Sequence, residues 1–305
     1  MTSSNNTAIK VAVAGATGRL GLPVVAELLK AGFQVTALTR ASANSDGTGP
    51  SIPPSVASVE VDYASLSSLT SALQGIDAVV STLSSAALSS QILLIQAAAA
   101  AGVKRFIPSE FGSNTLNPKS QALPVYRDKV LVQESLREIV SRSGQEGGGL
   151  TYTLILTGPF LDYGIATGLL LHLASRSATV YDGGKTKFSS TTLATISKAV
   201  SGVLSNLEAT ANRVVRVHDV AVTQRELIDA AKRAVGEEGW SEKEERIEDV
   251  LKKAWEEEKH PDPNAFPGLN FIRAAVFAEG YGQWFEENDN ELLGIEEMGE
   301  ENISH

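Results

Sequence analysis

A glycine-rich run near the start of the chain, Gly15-Ala16-Thr17-Gly18-Arg19-Leu20-Gly21, restricts the possible folds most strongly. It follows an apolar, strand-like segment and precedes a helical pattern, which is the setting in which such glycines bind a dinucleotide. The first glycine permits a tight turn, the second a close approach of phosphate, and the third the packing of helix on strand. Because helix amides and the helix dipole attract anions, the run predicts a pyrophosphate site at the helix N-terminus.

Apolar runs alternate with helical patterns over the first half of the chain. The predicted strands cover 8–14, 34–39, 58–61, 78–81, 103–108 and 151–156, and the predicted helices cover 18–31, 66–73, 86–101 and 124–143. The segment 41–54, rich in Ser, Gly and Pro, is predicted to be a loop. Nearly continuous apolar strands that alternate with helices indicate a parallel sheet covered on both faces. We therefore predict an α/β fold with a Rossmann-type, doubly wound parallel sheet.

The pattern weakens after about residue 158. Strands are predicted at 178–181 and 214–218, and helices at 192–204 and 224–234. The segment 237–258 places apolar residues at helical spacing among dense charges, and we interpret it as a solvated helical face. These patterns predict a dinucleotide-binding Rossmann domain over 8–157. Residues 158–305 are expected to form mainly a smaller α+β substrate-binding domain, with some segments returning to the Rossmann core.

The end of the second predicted strand distinguishes between two cofactors. NAD sites place a carboxylate there for the ribose hydroxyl, but this chain has Thr39-Arg40 and no carboxylate before Asp46. An arginine pairs in bidentate fashion with the 2′-phosphate of NADP, and Arg19 could reach the same group. The sequence therefore predicts NADP(H). Asp62, after the third predicted strand, could accept from the adenine amino group or cap the helix that follows at Ser65.

Composition excludes several classes of function. The formal net charge of −10 argues against a nucleic-acid partner. The chain has no cysteine, and its four histidines are isolated, so neither a disulfide, a thiol nucleophile nor a metal site is expected. The longest apolar run, 92–103, is well short of the ~20 residues that a membrane span needs. Because 1–7 lacks the pattern of a signal peptide, a cytoplasmic location is expected.

A more specific string begins at the end of the third predicted helix: Ala101-Gly102-Val103-Lys104-Arg105-Phe106-Ile107-Pro108-Ser109-Glu110-Phe111-Gly112. It resembles the NmrA-like, isoflavone-reductase-like branch of the atypical short-chain dehydrogenases. The spacing of the glycine run, Val79-Val80-Ser81-Thr82 and Gly158-Pro159-Phe160 agree with this resemblance, and Asn290-Glu291-Leu292-Leu293-Gly294-Ile295 looks like the ending of fungal members. The resemblance implies a Rossmann domain, a smaller C-terminal substrate domain and NADPH.

By position, Lys129 matches the active-site lysine of the reductases in that family. Such a lysine holds the nicotinamide ribose and stabilises or protonates negative charge on a substrate oxygen. Tyr126 lies three residues before Lys129, whereas the Tyr–Lys couple of ordinary short-chain dehydrogenases is four apart. We therefore interpret Tyr126 as a pocket or packing residue. Ser109 is expected mainly to turn the chain.

Parallel sheets bind ligands beyond the carboxyl ends of their strands, which predicts the site residues. The catalytic residue is Lys129; the predicted cofactor-binding residues are Gly15, Thr17, Gly18, Arg19, Leu20, Gly21, Arg40, Asp62, Ser81, Thr82, Lys129, Pro159 and Phe160. The predicted substrate pocket consists of Ser109, Glu110, Phe111, Tyr126 and Tyr163. Leu169–Leu173 could complete one apolar wall, and Phe266, Phe271 and Phe277 could supply the other, although each alone is more often a core residue.

These features favour an NADPH-dependent reductase of an apolar or aromatic small molecule, acting as a monomer or homodimer. Hydride would pass from the nicotinamide to an electrophilic carbon while Lys129 assists at oxygen. Two alternatives remain open at this stage. One is an NADP-sensing regulator without turnover, and the other is a biosynthetic isomerase or cyclase that uses the NADP site non-stoichiometrically.

Overall fold

The secondary structure follows the alternation seen in the sequence. The computed structural model describes residues 9–40, 52–143, 149–260 and 268–298. Its strands are β1 (Lys10–Ala14), β2 (Gln34–Thr39), β3 (Ala57–Glu60), β4 (Ala78–Ser81), β5 (Arg105–Ile107), β6 (Thr151–Leu156), β7 (Ser177–Tyr181), β8 (Lys187–Ser190), β9 (Arg213–Arg216), β10 (Val220–Thr223) and β11 (Ser241–Glu245). Its helices are α1 (Gly21–Lys30), α2 (Leu66–Ala72), α3 (Gln91–Ala100), α4 (Pro118–Gln121), α5 (Arg127–Ser143), α6 (Leu161–Ala166), α7 (Leu193–Ser205), α8 (Gln224–Val235), α9 (Ile247–Lys259) and α10 (Leu269–Phe277).

Seven strands form the main sheet in the order β3-β2-β1-β4-β5-β6-β9. The pairs β1–β2, β1–β4, β2–β3, β4–β5 and β5–β6 are all parallel. Strand order reverses between β1 and β4, which makes their carboxyl ends the point where a doubly wound sheet binds its ligand. Val11, Ala12, Val13 and Ala14 of β1 are fully buried because helices cover both faces. The predicted Rossmann-type α/β class is therefore confirmed.

A buried arginine ties β5 to its surroundings. Arg105 is only 2% exposed, and its guanidinium donates to the hydroxyls of Thr151, Thr153 and Thr210, each at 2.9 Å, and to the carbonyl of Leu207. Burial lowers the pKa of Arg105 to about 10, so the group remains charged near neutral pH. Neutral acceptors that surround a buried cation stabilise it through charge-assisted hydrogen bonds.

Three predicted helices differ from the observed elements. The first begins at Gly21 rather than Gly18, because the N–H of Gly18 closes the turn on the Gly15 oxygen at 2.9 Å. The predicted helix 86–101 divides into a 3₁₀ segment, Ser85–Ser90, and α3, since serines favour tighter local hydrogen bonding over a regular helix. The predicted helix 124–143 likewise begins with a 3₁₀ turn, Pro124–Tyr126, before α5.

The helical interpretation of 237–258 is wrong over Ser241–Glu245, which forms β11 and pairs in parallel with β7. Arg225 bonds to Glu242 and Glu244, and Lys232 bonds to Glu242 at 2.6 Å. Side chains of α8 therefore form ion pairs with β11, and the local sequence of β11 does not reveal these contacts. Residues 247–258 of that segment are helical in α9, as predicted, whereas 237–240 are not helical.

The second half of the chain has an apolar core of its own. β8 pairs antiparallel with β10, and the ring of Phe277 stacks on Tyr181 with centroids 5.0 Å apart. Phe277 and Phe271 are 2% and 1% exposed, so they are core residues and not a pocket wall. Phe266 and most of the predicted loop 41–54 lie outside the described residues.

The chain divides into two compact units. Unit 1 comprises Met1–Ser109, Leu131–Leu154 and Ser197–Val214. Unit 2 comprises Glu110–Val130, Ile155–Ile196 and Val215–His305. Each unit thus draws on segments from both halves of the sequence.

Candidate active site

The glycine turn of unit 1 excludes side chains. Gly15 has φ +80°, and a Cβ built on it would lie 2.8 Å from the Thr82 carbonyl oxygen. A Cβ on Gly21 would lie 2.1 Å from the Gly15 oxygen, and one on Gly18 would lie 3.0 Å from the same atom. These backbone distances are below ordinary contact, so the turn tolerates only glycine at Gly15 and Gly21. The absence of side chains brings the backbone close to whatever binds there.

The start of α1 suits an anion electrostatically. The N-cap residue, Leu20, makes no side-chain capping hydrogen bond, and the first turn contains no acidic side chain. A helix start without a carboxylate or a polar cap retains the attraction of its amides for phosphate. The turn therefore fits a pyrophosphate group, as the sequence predicts. Thr17 and Arg19 lie exposed on it.

Two polar residues end β4 beside the turn. The Thr82 hydroxyl donates to the carbonyls of Ala14 and Gly15, at 2.9 and 3.1 Å, and so fixes the turn against the sheet. The Ser81 hydroxyl is fully buried and has no hydrogen-bond partner among the described residues. Thr82 thus supports the cradle through its side chain, and a direct contact of either residue with a cofactor stays a prediction.

Arg40 follows β2 and is exposed, while its neighbour Thr39 is buried and bonds to the Ser58 hydroxyl at 3.2 Å. Its charge acts on Tyr63, where burial raises the pKa of the phenol to about 12 and Arg40 opposes that rise. Arg40 thus brings positive charge to the edge formed by β2 and β3. This is the position at which a 2′-phosphate requires a cation.

Asp62 is exposed and accepts a hydrogen bond from the N–H of Ala64 at 2.9 Å, which folds the turn before α2. The cap of α2 is Ser65 itself, whose hydroxyl accepts from the N–H of Ser68. Asp62 is therefore not the capping residue. Its contact with adenine stays a prediction.

In unit 2, the loop after β5 is anchored by its backbone. The carbonyl of Gly112 accepts from the N–H groups of Thr157 and Gly158, at 3.2 and 3.0 Å. Gly158 has φ +64°, and a Cβ there would lie 1.9 Å from the Ser189 oxygen, so only glycine fits. The loop that carries Glu110 and Ser113 is therefore held in place at the end of β6.

Lys129 lies in the first turn of α5, and its Nζ donates to the backbone carbonyl of Glu110. Burial lowers the pKa of the Lys129 ammonium, while the negative charge of Glu110 opposes that shift. The Glu110 carboxylate is 1% exposed and accepts from the Thr115 hydroxyl at 2.7 Å. A Cβ built on Gly112 would lie 3.5 Å from Nζ and 3.5 Å from the Glu110 carbonyl oxygen. The arrangement holds an ammonium group that can give up its proton more readily than a free lysine.

Tyr126 packs beneath Lys129. Its ring centroid lies 5.9 Å from the lysine Nζ, and its phenol donates to the Ser113 hydroxyl at 2.8 Å. Tyr126 is 4% exposed and packs with Leu123 and Phe271. Burial raises the pKa of Tyr126 to about 12, so it keeps its proton near neutral pH. Sequence reasoning missed Ser113, because its partner lies in a different element.

The remaining predicted site residues occupy supporting positions. The Ser109 hydroxyl donates to the Leu83 carbonyl and its N–H donates to the Gln91 side chain, both at 2.8 Å, as expected of a residue that turns the chain. Phe111 is 6% exposed, and Pro159 accepts from the Ser190 hydroxyl. Phe160 and Tyr163, at the start of α6, are partly exposed. The predicted contacts of Pro159 and Phe160 with the cofactor, and of Phe111 and Tyr163 with the substrate, stay predictions.

The predicted site residues fall into two sets. Unit 1 holds Gly15, Thr17, Gly18, Arg19, Leu20, Gly21, Arg40, Asp62, Ser81, Thr82 and Ser109, and unit 2 holds Glu110, Phe111, Tyr126, Lys129, Pro159, Phe160 and Tyr163. The first set includes the glycine turn and its support, and the second includes the hydrogen-bonded group around Lys129. Across 9–40, 52–143, 149–260 and 268–298, no helix is long and apolar enough to cross a membrane. The same ranges contain no group of three or more acidic or histidine side chains placed for a metal ion.

The sequence matches the NmrA-like family over residues 7–238. Oxidoreductase poxI of Penicillium oxalicum is 30% identical, over 97% of this chain and 92% of its own length. Oxidoreductase aprR of Aspergillus flavus is 35% identical, over 94% of each chain. Since both relatives match nearly end to end, the expectation of an oxidoreductase is confirmed.

Solved structures agree in fold. An isoflavone reductase superposes with a TM-score of 0.74 at 21% identity, over 97% of this chain and 99% of its own. A structure described as AtPrR2 with NADP⁺ and (+)-pinoresinol gives 0.71 at 22% identity, over 96% and 91%. At such identities the similarity is one of architecture.

Proposed function

This chain belongs to the NmrA-like family, and we propose that it is an NADPH-dependent reductase of an aromatic or other secondary-metabolite small molecule. In this proposal residues 8–157 bind mainly the cofactor and 158–305 mainly the substrate. Lys129 assists the reaction at a substrate oxygen. The hydrogen-bonded ammonium of Lys129 is the observation that carries the proposal.

The cofactor assignment is supported by the residues of unit 1. The glycine turn admits no side chain, and α1 begins without a carboxylate, both of which suit a pyrophosphate. Arg40 provides a cation where an NAD site would place an acid. A bound NADPH would supply the hydride, and the chain itself would supply binding, orientation and the proton.

The catalytic assignment is supported by the surroundings of Lys129. Its ammonium is held by a carbonyl and an aromatic face, and burial lowers its pKa. A group whose pKa approaches the working pH transfers protons efficiently. As negative charge develops on a substrate oxygen, Lys129 would first stabilise that charge and then protonate it.

The substrate class is supported by similarity. The solved neighbour bound to (+)-pinoresinol holds an aromatic ligand together with NADP⁺. We extend this to the present chain as an oxygen-bearing aromatic substrate. Partly exposed Phe160 and Tyr163 would supply contacts for an aromatic ring.

The test is NADPH oxidation in the presence of pinoresinol and isoflavone substrates, with wild type compared with Lys129→Ala and Lys129→Arg. We expect Lys129→Ala to lower kcat by about 10²–10⁴-fold while NADPH still binds, as for loss of a general acid. Arg keeps the charge but does not release its proton, so Lys129→Arg should recover little activity. Equal turnover by Lys129→Ala would show that Lys129 is not the catalytic group.

A further inference from the structure

The hydroxyl of Ser113 has an uncommitted proton. A serine hydroxyl offers one donor and two acceptor positions, and Tyr126 occupies one acceptor position at 2.8 Å. Among the described residues, no acceptor receives the proton of Ser113 itself. The residue is only 8% exposed, and buried hydroxyls normally donate as well as accept. The missing acceptor is what a bound ligand would supply.

Tyr126 determines which role Ser113 can take. The phenol of Tyr126 donates to the serine oxygen at 2.8 Å, and Tyr126 is only 4% exposed. Packing against Leu123 and Phe271 holds the ring in place. Ser113 therefore acts as an acceptor toward Tyr126 and keeps its own proton for another partner.

The backbone around Ser113 is also fixed. The preceding carbonyl, that of Gly112, accepts from Thr157 and Gly158, and the carbonyl of Ser113 accepts from the N–H of Thr115 at 2.8 Å. The ammonium of Lys129 lies 3.5 Å from the position that a Gly112 Cβ would take. The hydroxyl-bearing Ser113 follows Gly112 in the chain, and the Lys129 ammonium lies beside Gly112, so a neutral and a cationic donor group belong to the surroundings of one loop residue. Fixed donors of this kind cost little reorganisation when charge develops.

We propose that Ser113 donates a hydrogen bond to the substrate oxygen whose negative charge grows during reduction, with Tyr126 as its positioning residue. This rests on the proposed function and narrows the substrate class to one with a carbonyl or ether oxygen next to the carbon that accepts hydride. Hydride from the NADPH of the proposed function would add to that carbon, and the π pair of a carbonyl, or the carbon–oxygen σ pair of an ether, would move onto oxygen. Lys129 supplies the proton, and Ser113 stays protonated throughout.

The test compares kcat, KM and NADPH affinity in wild type, Ser113→Ala, Ser113→Thr and Tyr126→Phe, with pinoresinol, an ether, as the substrate. Removal of one preorganised donor lowers kcat by roughly 10²–10³-fold, and we expect that loss in Ser113→Ala with unchanged NADPH affinity. Ser113→Thr should restore much of the activity because it keeps the hydroxyl. Tyr126→Phe keeps the ring but not the phenol, and in the Ser113→Ala background it should add little, since Tyr126 acts through Ser113.

Ser201→Ala is the matched control, because Ser201 in α7 is also 8% exposed. Wild-type kcat in Ser113→Ala, or an equal loss in Ser201→Ala, would overturn the proposal.

Calorimetric binding of pinoresinol to the NADP⁺ complex separates this proposal from the proposed function. If wild type binds but does not turn over, the reductase assignment fails, and weaker binding by Ser113→Ala would still support the hydrogen bond. If wild type binds without turnover and Ser113→Ala binds pinoresinol with the same affinity, the proposed Ser113 hydrogen bond is overturned.

Discussion

Gly21→Ala tests whether the glycine turn is the cofactor cradle. A Cβ at this position would lie 2.1 Å from the Gly15 oxygen and 2.8 Å from backbone atoms of Ala16. The first distance is about 1.3 Å short of the 3.4 Å at which ordinary contact begins. Because every obstructing atom belongs to the backbone, no side chain can rotate away. The start of α1 must therefore move relative to the turn.

The expected magnitude follows from that displacement. Overpacking of this kind costs about 1–3 kcal/mol of folding stability. A shift of about 1 Å would also misalign the amides that we expect to face the pyrophosphate, and losing one hydrogen bond to a charged group costs about 1.5–3 kcal/mol. We therefore expect NADPH to bind about 10- to 150-fold more weakly, in a protein that still folds.

Fluorescence titration with NADPH and urea unfolding measure the two effects separately. Gly32→Ala is the control, because Gly32 has φ +86° but no atom lies within 4 Å of the added Cβ. That variant should lose about 1–2 kcal/mol to backbone strain and keep its NADPH affinity. If folded Gly21→Ala binds NADPH within about twofold of wild type, the steric reasoning about the cradle is wrong.

Three further predictions address charge. Arg40→Ala should weaken NADPH binding about 10- to 100-fold and leave NADH binding unchanged in parallel titrations, whereas surface Arg142→Ala should change neither. Arg105→Met should lower the free energy of unfolding in urea by about 2–4 kcal/mol, because three threonine hydroxyls lose a charged donor; an unchanged midpoint would contradict this. Burial lowers the pKa of His218 below 6.5, so the unfolded chain takes up the proton first. Stability should then fall as the pH drops through 6.5 toward the lower pKa of folded His218, and His218→Gln should reduce that fall.

The main sheet was predictable because its signals are local. Gln34–Thr39, Ala78–Ser81 and Thr151–Leu156 form strands with the predicted bounds. Short, buried runs flanked by turn residues specify such strands without help from distant contacts. β11 shows the opposite case, since Ser241–Glu245 carries four charged side chains and no apolar alternation. Its pairing with β7 and its ion pairs with Arg225 depend on tertiary structure.

The site was predictable only in part, for a similar reason. Glycines of the turn are recognisable because their spacing reports a backbone conformation. Ser113 carries no comparable signal, since its significance comes from the Tyr126 phenol, thirteen residues later in the chain. The role proposed for Ser113 rests on a hydrogen bond between two distant segments of the chain, and such a contact is a property of three-dimensional structure.

The groups around Lys129 bear on whether its ammonium can give up a proton in the proposed reaction. An ammonium paired with a carboxylate holds its proton more tightly, which would oppose catalysis. Here Nζ donates to the backbone carbonyl of Glu110, while the carboxylate of the same residue accepts from Thr115. The carbonyl orients the ammonium through a dipole, and the buried carboxylate only moderates the lowering of its pKa by burial. Glu110 thus holds Lys129 through its backbone carbonyl, and in the proposed reaction burial is what favours release of the Lys129 proton.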